Sequence, residues 1–258
     1  MFPQIVIRPQ RSLVIITIDG TAGSGKSAAA LELARRLGLP HLDTGAMYRA
    51  VALDALERGI LPDPDRIGHR ARLLHIAFDW ARQPATVLLN GRDVSEAIRR
   101  PEVTAVTYVA ADNPWVREEL VKQQRLIGEQ AEQGVDLDLP PKDISISHSP
   151  VDKGKKKLTG LVTEGRDQGT IVFPGAPYKF FLNAHPEERA RRRLAQLAAK
   201  GISAELDQVL AEMELRDKQD QSRPYGKLMR APDAIDIDTT DLTLEQTVQA
   251  MLAHIQDK

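Results

Sequence analysis

The feature that most constrains this chain is an apolar run that ends in a glycine-rich segment. Residues 12–19 (SLVIITID) are rich in Ile and Val, which is typical of a strand buried on both faces of a parallel sheet. The next segment, GTAGSGKS, matches G-x-x-x-x-G-K-[ST] in full, and an Ala- and Leu-rich helix ending near Gly38 is predicted after it. The order of strand, glycine turn and helix indicates an α/β fold.

The chemistry of this motif predicts a site for phosphate groups. Glycines let the backbone turn tightly and aim N–H groups at phosphate oxygens, and the following helix adds its positive dipole end. Lysine supplies a mobile positive charge, and the serine hydroxyl reaches Mg²⁺. A chance glycine turn is the competing interpretation, and the flanking strand and helix count against it. We therefore predict that ATP, with Mg²⁺ on Ser27, binds Gly20, Thr21, Ala22, Gly23, Ser24, Gly25, Lys26 and Ser27.

Later segments predict further strands of the same sheet. Four short apolar runs, at 39–43, 161–164, 178–182 and 234–239, alternate with helical segments, which predicts a parallel sheet with right-handed crossovers. Two regions break this alternation. The runs HIAFDW and ATVLLNGRDV predict strands that meet in a hairpin, with Asn90-Gly91 as a further turn signal. Residues 131–160 have little periodicity and predict a long exposed loop.

Two polar segments at predicted strand ends suggest a second ligand beside the triphosphate. Residues 42–49 (LDTGAMYR) follow the second strand, and Arg166 and Asp167 follow the third. Because ligands of open parallel sheets bind outside the carboxyl ends of the strands, we expect these residues to face the same crevice as Lys26. A guanidinium there binds phosphate through two hydrogen bonds, and Asp167 fixes that arginine or reads a base amino group. A helix cap with a surface arginine, and a surface ion pair in a turn, are the alternatives.

Arginines cluster in two further segments. Residues 186–193 (PEERARRR) carry four of them, and Arg216, Lys218 and Arg223 lie near two aspartates. Charged helices are usually solvated faces, so neither cluster alone indicates a function. Beside a phosphate-binding loop they predict a mobile arginine lid that neutralises charge on a transferred phosphoryl group.

Composition excludes several classes of function. The net charge of −1 removes a bulk electrostatic case for nucleic acid or membrane as the main partner. The absence of cysteine excludes disulfides, thiolate metal sites and Cys nucleophiles. The first residues lack the pattern of a signal peptide, and no apolar stretch approaches the roughly 20 residues that span a bilayer. We expect a cytoplasmic monomer without nucleic-acid or membrane partners.

In their joint order, these segments resemble the bacterial cytidylate kinase family from about residue 13 to residue 255. The signature stretches are IDGTAGSGKS, LDTGAMYRAVAL, NGRDVSEAIR, NPWVREELVKQQR, EGRDQGTIVFPGAPYKFFLNAHPEERARRR and APDAIDIDTT. Shorter adenylate-kinase relatives look similar at LDTGAMYR but lack the insert with NGRDVSEAIR. The resemblance implies a three-layer P-loop kinase core with a parallel sheet (12–66 and 117–258), a monophosphate-binding insert (67–116) and a helical arginine-rich lid (about 186–226).

The resemblance also implies an activity and a set of site residues. The activity is transfer of the γ-phosphoryl group of ATP to CMP or dCMP. Within the acceptor site, phosphate would bind Arg49, Arg166 and Arg223, ribose would bind Arg216 and Asp220, and cytosine would bind Arg117 and Asp167. Lys26, Arg166 and Arg192 would be catalytic, with Arg192 acting from the lid. The full CMP-binding set would be Asp43, Thr44, Tyr48, Arg49, Arg117, Arg166, Asp167, Arg216, Asp220 and Arg223.

Three segments depart from the family's pattern, and three other functions compete. Thr107-Tyr108 stands where the family often has a serine at the base, the link between residues 130 and 160 is long, and YGKL at 225–228 replaces a common Ala-Pro-Leu stretch. The competitors are a kinase for UMP, AMP or a sugar, a P-loop regulatory ATPase, and an RNA-binding protein. The acceptor pair Arg166-Asp167 and the lack of an obvious apolar run ending in Asp-Glu count against the ATPase. RNA binding lacks a basic net charge and an aromatic stacking platform.

Overall fold

The computed structural model describes residues 13–133, 159–199 and 201–256. The strands are β1 (Leu13–Gly20), β2 (His41–Asp43), β3 (Ile76–Asp79), β4 (Thr86–Leu89), β5 (Arg92–Asp93), β6 (Thr159–Gly165), β7 (Tyr178–Asn183) and β8 (Ile235–Asp238). The helices are α1 (Lys26–Leu37), α2 (Thr44–Glu57), α3 (Pro64–Ala71), α4 (Pro101–Ala111), α5 (Pro114–Gln133), α6 (Pro186–Ala198), α7 (Leu206–Ser222) and α8 (Leu244–Gln256). A short 3₁₀ turn spans Ala97–Arg99, and a π-helical turn spans Gln168–Val172.

The central sheet is parallel throughout, with the strand order β2-β6-β1-β7-β8. Alternate side chains of β1 enter two separate hydrophobic clusters, because successive residues of a strand point to opposite faces. Ile15 joins the cluster that contains α2 and α5, and Ile16 joins the cluster that contains α1 and α8. Helices therefore cover both faces, which confirms the predicted three-layer α/β core.

The predicted hairpin region forms a second, antiparallel sheet with the order β3-β4-β5. Asn90 and Gly91 both have positive φ, 50° and 81°, as a tight two-residue hairpin turn requires. Buried residues of this sheet, among them Phe78 and Leu89, belong to the same hydrophobic cluster as Ile15 of β1. The insert thus shares its core with the central sheet, and the predicted boundaries at 66/67 and 116/117 fall inside α3 and α5.

The predicted lid range holds the helix pair α6 and α7, which pack together through a small cluster of their own. Ala22 of the glycine-rich segment belongs to this cluster, so the two helices contact that segment directly. Most of the predicted exposed loop, residues 134–158, lies outside the described residues, while α5 extends into its start and β6 into its end. Of the helices in the described part of the chain, none is both long and apolar enough to cross a membrane.

Candidate active site

The glycine-rich motif occupies the predicted position between β1 and α1. Gly23 has a φ of +75°, which favours glycine, and a Cβ there would lie 2.6 Å from the Met213 Cε on α7. Lys26 is the first residue of α1, is buried, and donates from Nζ to the Thr21 carbonyl oxygen at 2.8 Å. Burial, together with the charge of Arg166, lowers the pKa of Lys26 to about 7. A buried lysine on a backbone nest is the arrangement that binds phosphate.

Lid residues hold the backbone of this loop from one side. Asp217 accepts from the Ala22 N–H at 3.1 Å, and Arg189 donates to the Ala22 carbonyl oxygen at 2.9 Å. The two side chains also pair with each other and are buried. Arg189 was predicted only as one arginine of the lid cluster, and it instead ties α6 and α7 to the loop.

Arg192, the predicted catalytic lid residue, lies beside the same loop. Its Nη1 donates to Thr239 Oγ1 at 3.1 Å, and this hydroxyl donates to the Ser24 carbonyl oxygen at 2.9 Å. Its Nε donates to Glu188 at 3.1 Å, and a Cβ on Gly25 would lie 3.9 Å from Arg192 Nη1. One guanidinium therefore lies next to the segment that was predicted to bind phosphates.

The arginine and aspartate after β6 lie at the same edge of the sheet as Lys26. Arg166 follows Gly165, which pairs with Asp19 at the end of β1. The positive charge of Arg166 is one of the causes that lower the pKa of Lys26, so the two cations interact. The structure therefore places the predicted acceptor arginine and the phosphate-loop lysine at one edge of the sheet.

Asp220 on α7 bridges two of the predicted acceptor arginines. Arg166 Nε donates to its Oδ2 at 2.7 Å, and Arg223 Nη2 lies 2.6 Å from its Oδ1. Burial alone would raise the pKa of Asp220, but these two arginines lower it below its usual value. Nearby Arg216 has its pKa lowered to about 10 by burial and by the charge of Arg166. These four side chains form one charged cluster, to which α7 contributes Arg216 and Asp220.

The segment after β2 caps a helix and also faces the cleft. Asp43 Oδ1 accepts from the Ala46 N–H at 3.0 Å, and its Oδ2 accepts from Arg49 Nη2 at 2.8 Å. Thr44 Oγ1 donates to the Glu164 carbonyl oxygen at 2.6 Å. The helix-cap interpretation of Asp43 is thus confirmed, and the same contacts orient Arg49 and join α2 to the end of β6.

Arg117 and Asp167 form a buried ion pair. Arg117 Nη1 also donates to the Ala111 carbonyl oxygen at 2.9 Å, and the guanidinium carbon lies 5.3 Å from the Tyr48 ring centroid. Gly226, in the segment after α7, packs directly on this arginine. A Cβ at position 226 would lie 1.9 Å from Arg117 Nη2.

Glu164 is a functional candidate that the sequence reasoning missed. Its Oε2 accepts from Ser27 Oγ at 2.6 Å, and its Oε1 lies 3.4 Å from His41 Nε2. Burial would raise the pKa of this carboxyl, but His41, Lys26 and Ser27 together lower it to about 2. The available signal was an apolar strand, residues 161–163, that ends on an acid at the predicted carboxyl edge.

The pair Ser27 and Glu164 fits a magnesium ion. Glu164 is buried and ionised, and its Oε2 lies 2.6 Å from Ser27 Oγ, so two oxygen groups of the kind that Mg²⁺ binds lie side by side. Mg²⁺ prefers oxygen ligands and is usually held by one or two carboxylates plus substrate phosphates. No cluster of three or more His, Cys, Asp or Glu side chains suited to a metal occurs in the described ranges.

Comparison with known proteins gives one family. The cytidylate kinase family model matches residues 16–136 and 151–257. The cytidylate kinase of Citrifermentans bemidjiense is 41% identical over 246 residues, covering 95% of this chain and 94% of that relative. Those of Caldanaerobacter subterraneus and Azotobacter vinelandii are 42% and 40% identical, each covering 94% of this chain and 95% of the relative. Because the match spans nearly the whole chain and the motifs occupy the expected places in the fold, this protein belongs to the cytidylate kinase family.

Proposed function

We propose that this enzyme transfers the γ-phosphoryl group of ATP to CMP or dCMP, giving ADP and CDP or dCDP, in the cleft between Lys26 and Arg166. Family membership makes the chain a kinase. The observation that carries the proposal is the meeting of two phosphate-binding groups, the loop at 20–27 and the arginine after β6, at one edge of the sheet.

In this proposal the loop at residues 20–27 binds the triphosphate of ATP through backbone N–H groups and Lys26. Ser27 and Glu164 hold Mg²⁺, which when bound neutralises charge on the β- and γ-phosphates. Support comes from the short contact between these two side chains and from the ionised state of Glu164. Arg189 and Asp217 act indirectly, since they fix the backbone at Ala22.

The acceptor would bind on the other side of the cleft. We assign the phosphate of CMP to Arg49, Arg166 and Arg223, the ribose to Arg216 and Asp220, and cytosine to Arg117 and Asp167. These assignments come from family similarity. The physical support for them is that neighbouring side chains already fix the orientation of these residues. Each phosphate arginine is already held by a carboxylate, and the Arg117–Asp167 pair is buried against Tyr48.

The proposed reaction is an in-line displacement. An oxygen of the CMP phosphate attacks the γ-phosphorus, the new P–O bond forms, and the bond to the ADP oxygen breaks. The attacking oxygen is already anionic, so this chain needs no strong general base and forms no covalent intermediate. Lys26, Arg166 and Arg192 stabilise the negative charge of the transition state, and the lid excludes water that would otherwise hydrolyse ATP.

An acceptor panel tests this function. Purified protein is incubated with Mg-ATP and CMP, dCMP, UMP, AMP or no acceptor, and nucleoside diphosphate formation is compared with simple ATP loss. We expect CDP or dCDP formation that depends on the added acceptor. ATP hydrolysis indifferent to CMP would favour the regulatory ATPase, and faster turnover of another acceptor would reassign the substrate.

Arg166→Ala tests the acceptor phosphate site. A charge-assisted hydrogen bond contributes about 1.5–3 kcal/mol, so kcat/KM for CMP should fall at least about tenfold. Arg35→Ala is a matched control, because this arginine is exposed on α1, pairs with Glu32 at 2.7 Å and belongs to none of the predicted site segments. Thermal unfolding is measured for both variants. Normal turnover in folded Arg166→Ala would remove this residue from the acceptor site.

The cytoplasmic location, the monomeric state and the lack of nucleic-acid or membrane partners stay predictions from the sequence. Size-exclusion chromatography with light scattering measures the oligomeric state directly.

A further inference from the structure

We propose that Asp19 and Arg125 are positioning residues that clamp the π-helical turn Gln168–Val172 from its two ends, and so hold Arg166 and Asp167 against the acceptor. This inference rests on the proposed function, since it assigns Arg166 and Asp167 to the acceptor site. Neither Asp19 nor Arg125 belongs to the residues that contact substrate in that proposal.

The first end of the turn is held by a carboxylate. Asp19 Oδ1 accepts from the Gln168 N–H at 2.9 Å, and its Oδ2 accepts from the Gly169 N–H at 2.8 Å. These are N–H groups at the start of the turn, where a helical segment lacks its own acceptors. Asp19 is 4% exposed and directly precedes Gly20, the first residue of the phosphate-binding loop.

The second end of the turn is held by a guanidinium. Arg125 Nη2 donates to the Ile171 carbonyl oxygen at 2.7 Å, and its Nε donates to the Val172 carbonyl oxygen at 3.0 Å. These carbonyl groups are at the last positions of the turn, where a helical segment offers them no N–H donor of its own. The two ends thus have partners of opposite charge, each matched to the local backbone dipole.

Helix α5 supports the same segment at two further points. It carries Arg117, which pairs with Asp167, and Gln124, whose Oε1 accepts from Gln168 Nε2 at 3.2 Å. Three side chains of one helix therefore contact the segment 167–172. The turn is therefore held from two sides. Asp19 at the end of β1 lies next to the ATP loop, and α5 carries Arg117 of the proposed acceptor site.

The energetic cost of Asp19 favours a role beyond packing. Burial raises the pKa of Asp19 to about 7 in spite of the hydrogen bonds from Gly169 and Gln168 and the charge of Arg166. An apolar residue at this buried position would avoid that cost but would leave the Gln168 and Gly169 N–H groups without an acceptor. What the carboxylate supplies is two directional bonds to the turn beside Arg166 and Asp167. Misplacing a binding group by about 1 Å can cost on the order of 100-fold in rate.

The test uses the full chain with the variants Asp19→Asn and Arg125→Gln. Asparagine keeps the size of aspartate but presents an NH₂ group to one of the two N–H donors, so the turn must shift. We expect KM for CMP to rise about tenfold or more in Asp19→Asn, with KM for ATP changed less than about twofold. Arg125→Gln should also raise the KM for CMP relative to the KM for ATP. In the double variant the effects should be less than multiplicative, because both act through one turn.

Two controls separate positioning from general destabilisation. Ile16→Val changes a buried residue of the same strand whose side chain enters the hydrophobic cluster on the other face of the sheet, with α1 and α8. Lys122→Gln changes an exposed residue of α5 that pairs with Glu118 at 2.8 Å. Both controls should leave the two KM values unchanged, and thermal unfolding is recorded for every variant.

The outcomes are distinguishable from failure of the proposed function. If the wild-type protein does not phosphorylate CMP in the acceptor panel, the function itself is wrong. If it does, equal rises in KM for CMP and ATP, or no change in either, overturn the clamp. Multiplicative effects in the double variant also overturn it. If Asp19→Asn does not fold, Arg125→Gln alone tests the clamp, through the KM for CMP relative to the KM for ATP.

Discussion

Gly226→Ala should uncouple base recognition from the rest of the site. Gly226 has a φ of +65° and lies after lid helix α7, against the guanidinium of Arg117. An added Cβ would lie 1.9 Å from Arg117 Nη2, far inside van der Waals contact, so the guanidinium must move. Its present position is set by the buried pair with Asp167 and by the Ala111 carbonyl oxygen.

The expected magnitude has two parts. Alanine in the left-handed region costs roughly 1–2 kcal/mol, which acts on stability. Displacing Arg117 breaks a charge-assisted hydrogen bond of about 1.5–3 kcal/mol, equivalent to about tenfold to 150-fold. Arg117 and Asp167 are assigned to cytosine. We therefore expect the loss of this hydrogen bond to raise the KM for CMP and to weaken the preference for CMP over UMP.

A matched glycine isolates the steric part. Gly38, after α1, also has a φ of +65°, but a Cβ there would meet nothing within 4 Å. Gly38→Ala should therefore lose similar stability and keep the kinetics of the wild-type enzyme. The assay is steady-state kinetics with CMP and UMP at saturating ATP, plus thermal unfolding of both variants. The same KM for CMP in both variants would refute the proposed link between Gly226, Arg117 and the base.

Two more predictions concern the ATP side. Glu164→Gln keeps an acceptor for Ser27 but removes the charge, so the Mg²⁺ concentration for half-maximal binding of ATP should rise about tenfold or more. Equilibrium titration with Mg²⁺ measures it, and an unchanged requirement would exclude Glu164 from the metal site. The pKa of Lys26 is lowered to about 7, so at about pH 8 this amine is mostly neutral in the free enzyme. ATP restores its charge, so binding should take up close to one proton, measured by calorimetry in buffers of different ionisation enthalpy. No uptake would mean that Lys26 stays charged.

Local patterns in the sequence predicted the elements well, because their signals are short-range. The apolar run before the motif, the stop at Gly38 and the turn at Asn90-Gly91 each depend on neighbouring residues, and each was confirmed. The boundaries of the insert could not be predicted from such local patterns. They depend on which apolar faces pack together, and the insert packs on the same cluster as β1.

The candidate site was predictable only where a residue's role follows from its own motif. Glu164 was missed because its role depends on β6 lying beside β1, which puts its carboxylate next to Ser27. Asp19 was missed for the same reason, since its partners are 149 and 150 residues away in the sequence. Strand order and register, which no local pattern contains, decide both contacts.

Charge pairing explains how a chain of net charge −1 would build the two proposed anion sites. The acceptor arginines do not form a bare positive patch, because carboxylates such as Asp43 and Asp220 hold them. Pairing fixes each guanidinium before substrate arrives, so less side-chain entropy is lost on binding. A phosphate must compete with those carboxylates for the same donors. A weakly charged or misplaced anion therefore gains little binding free energy here. A phosphate that several arginines contact at once replaces the hydrogen bonds that it displaces from the carboxylates.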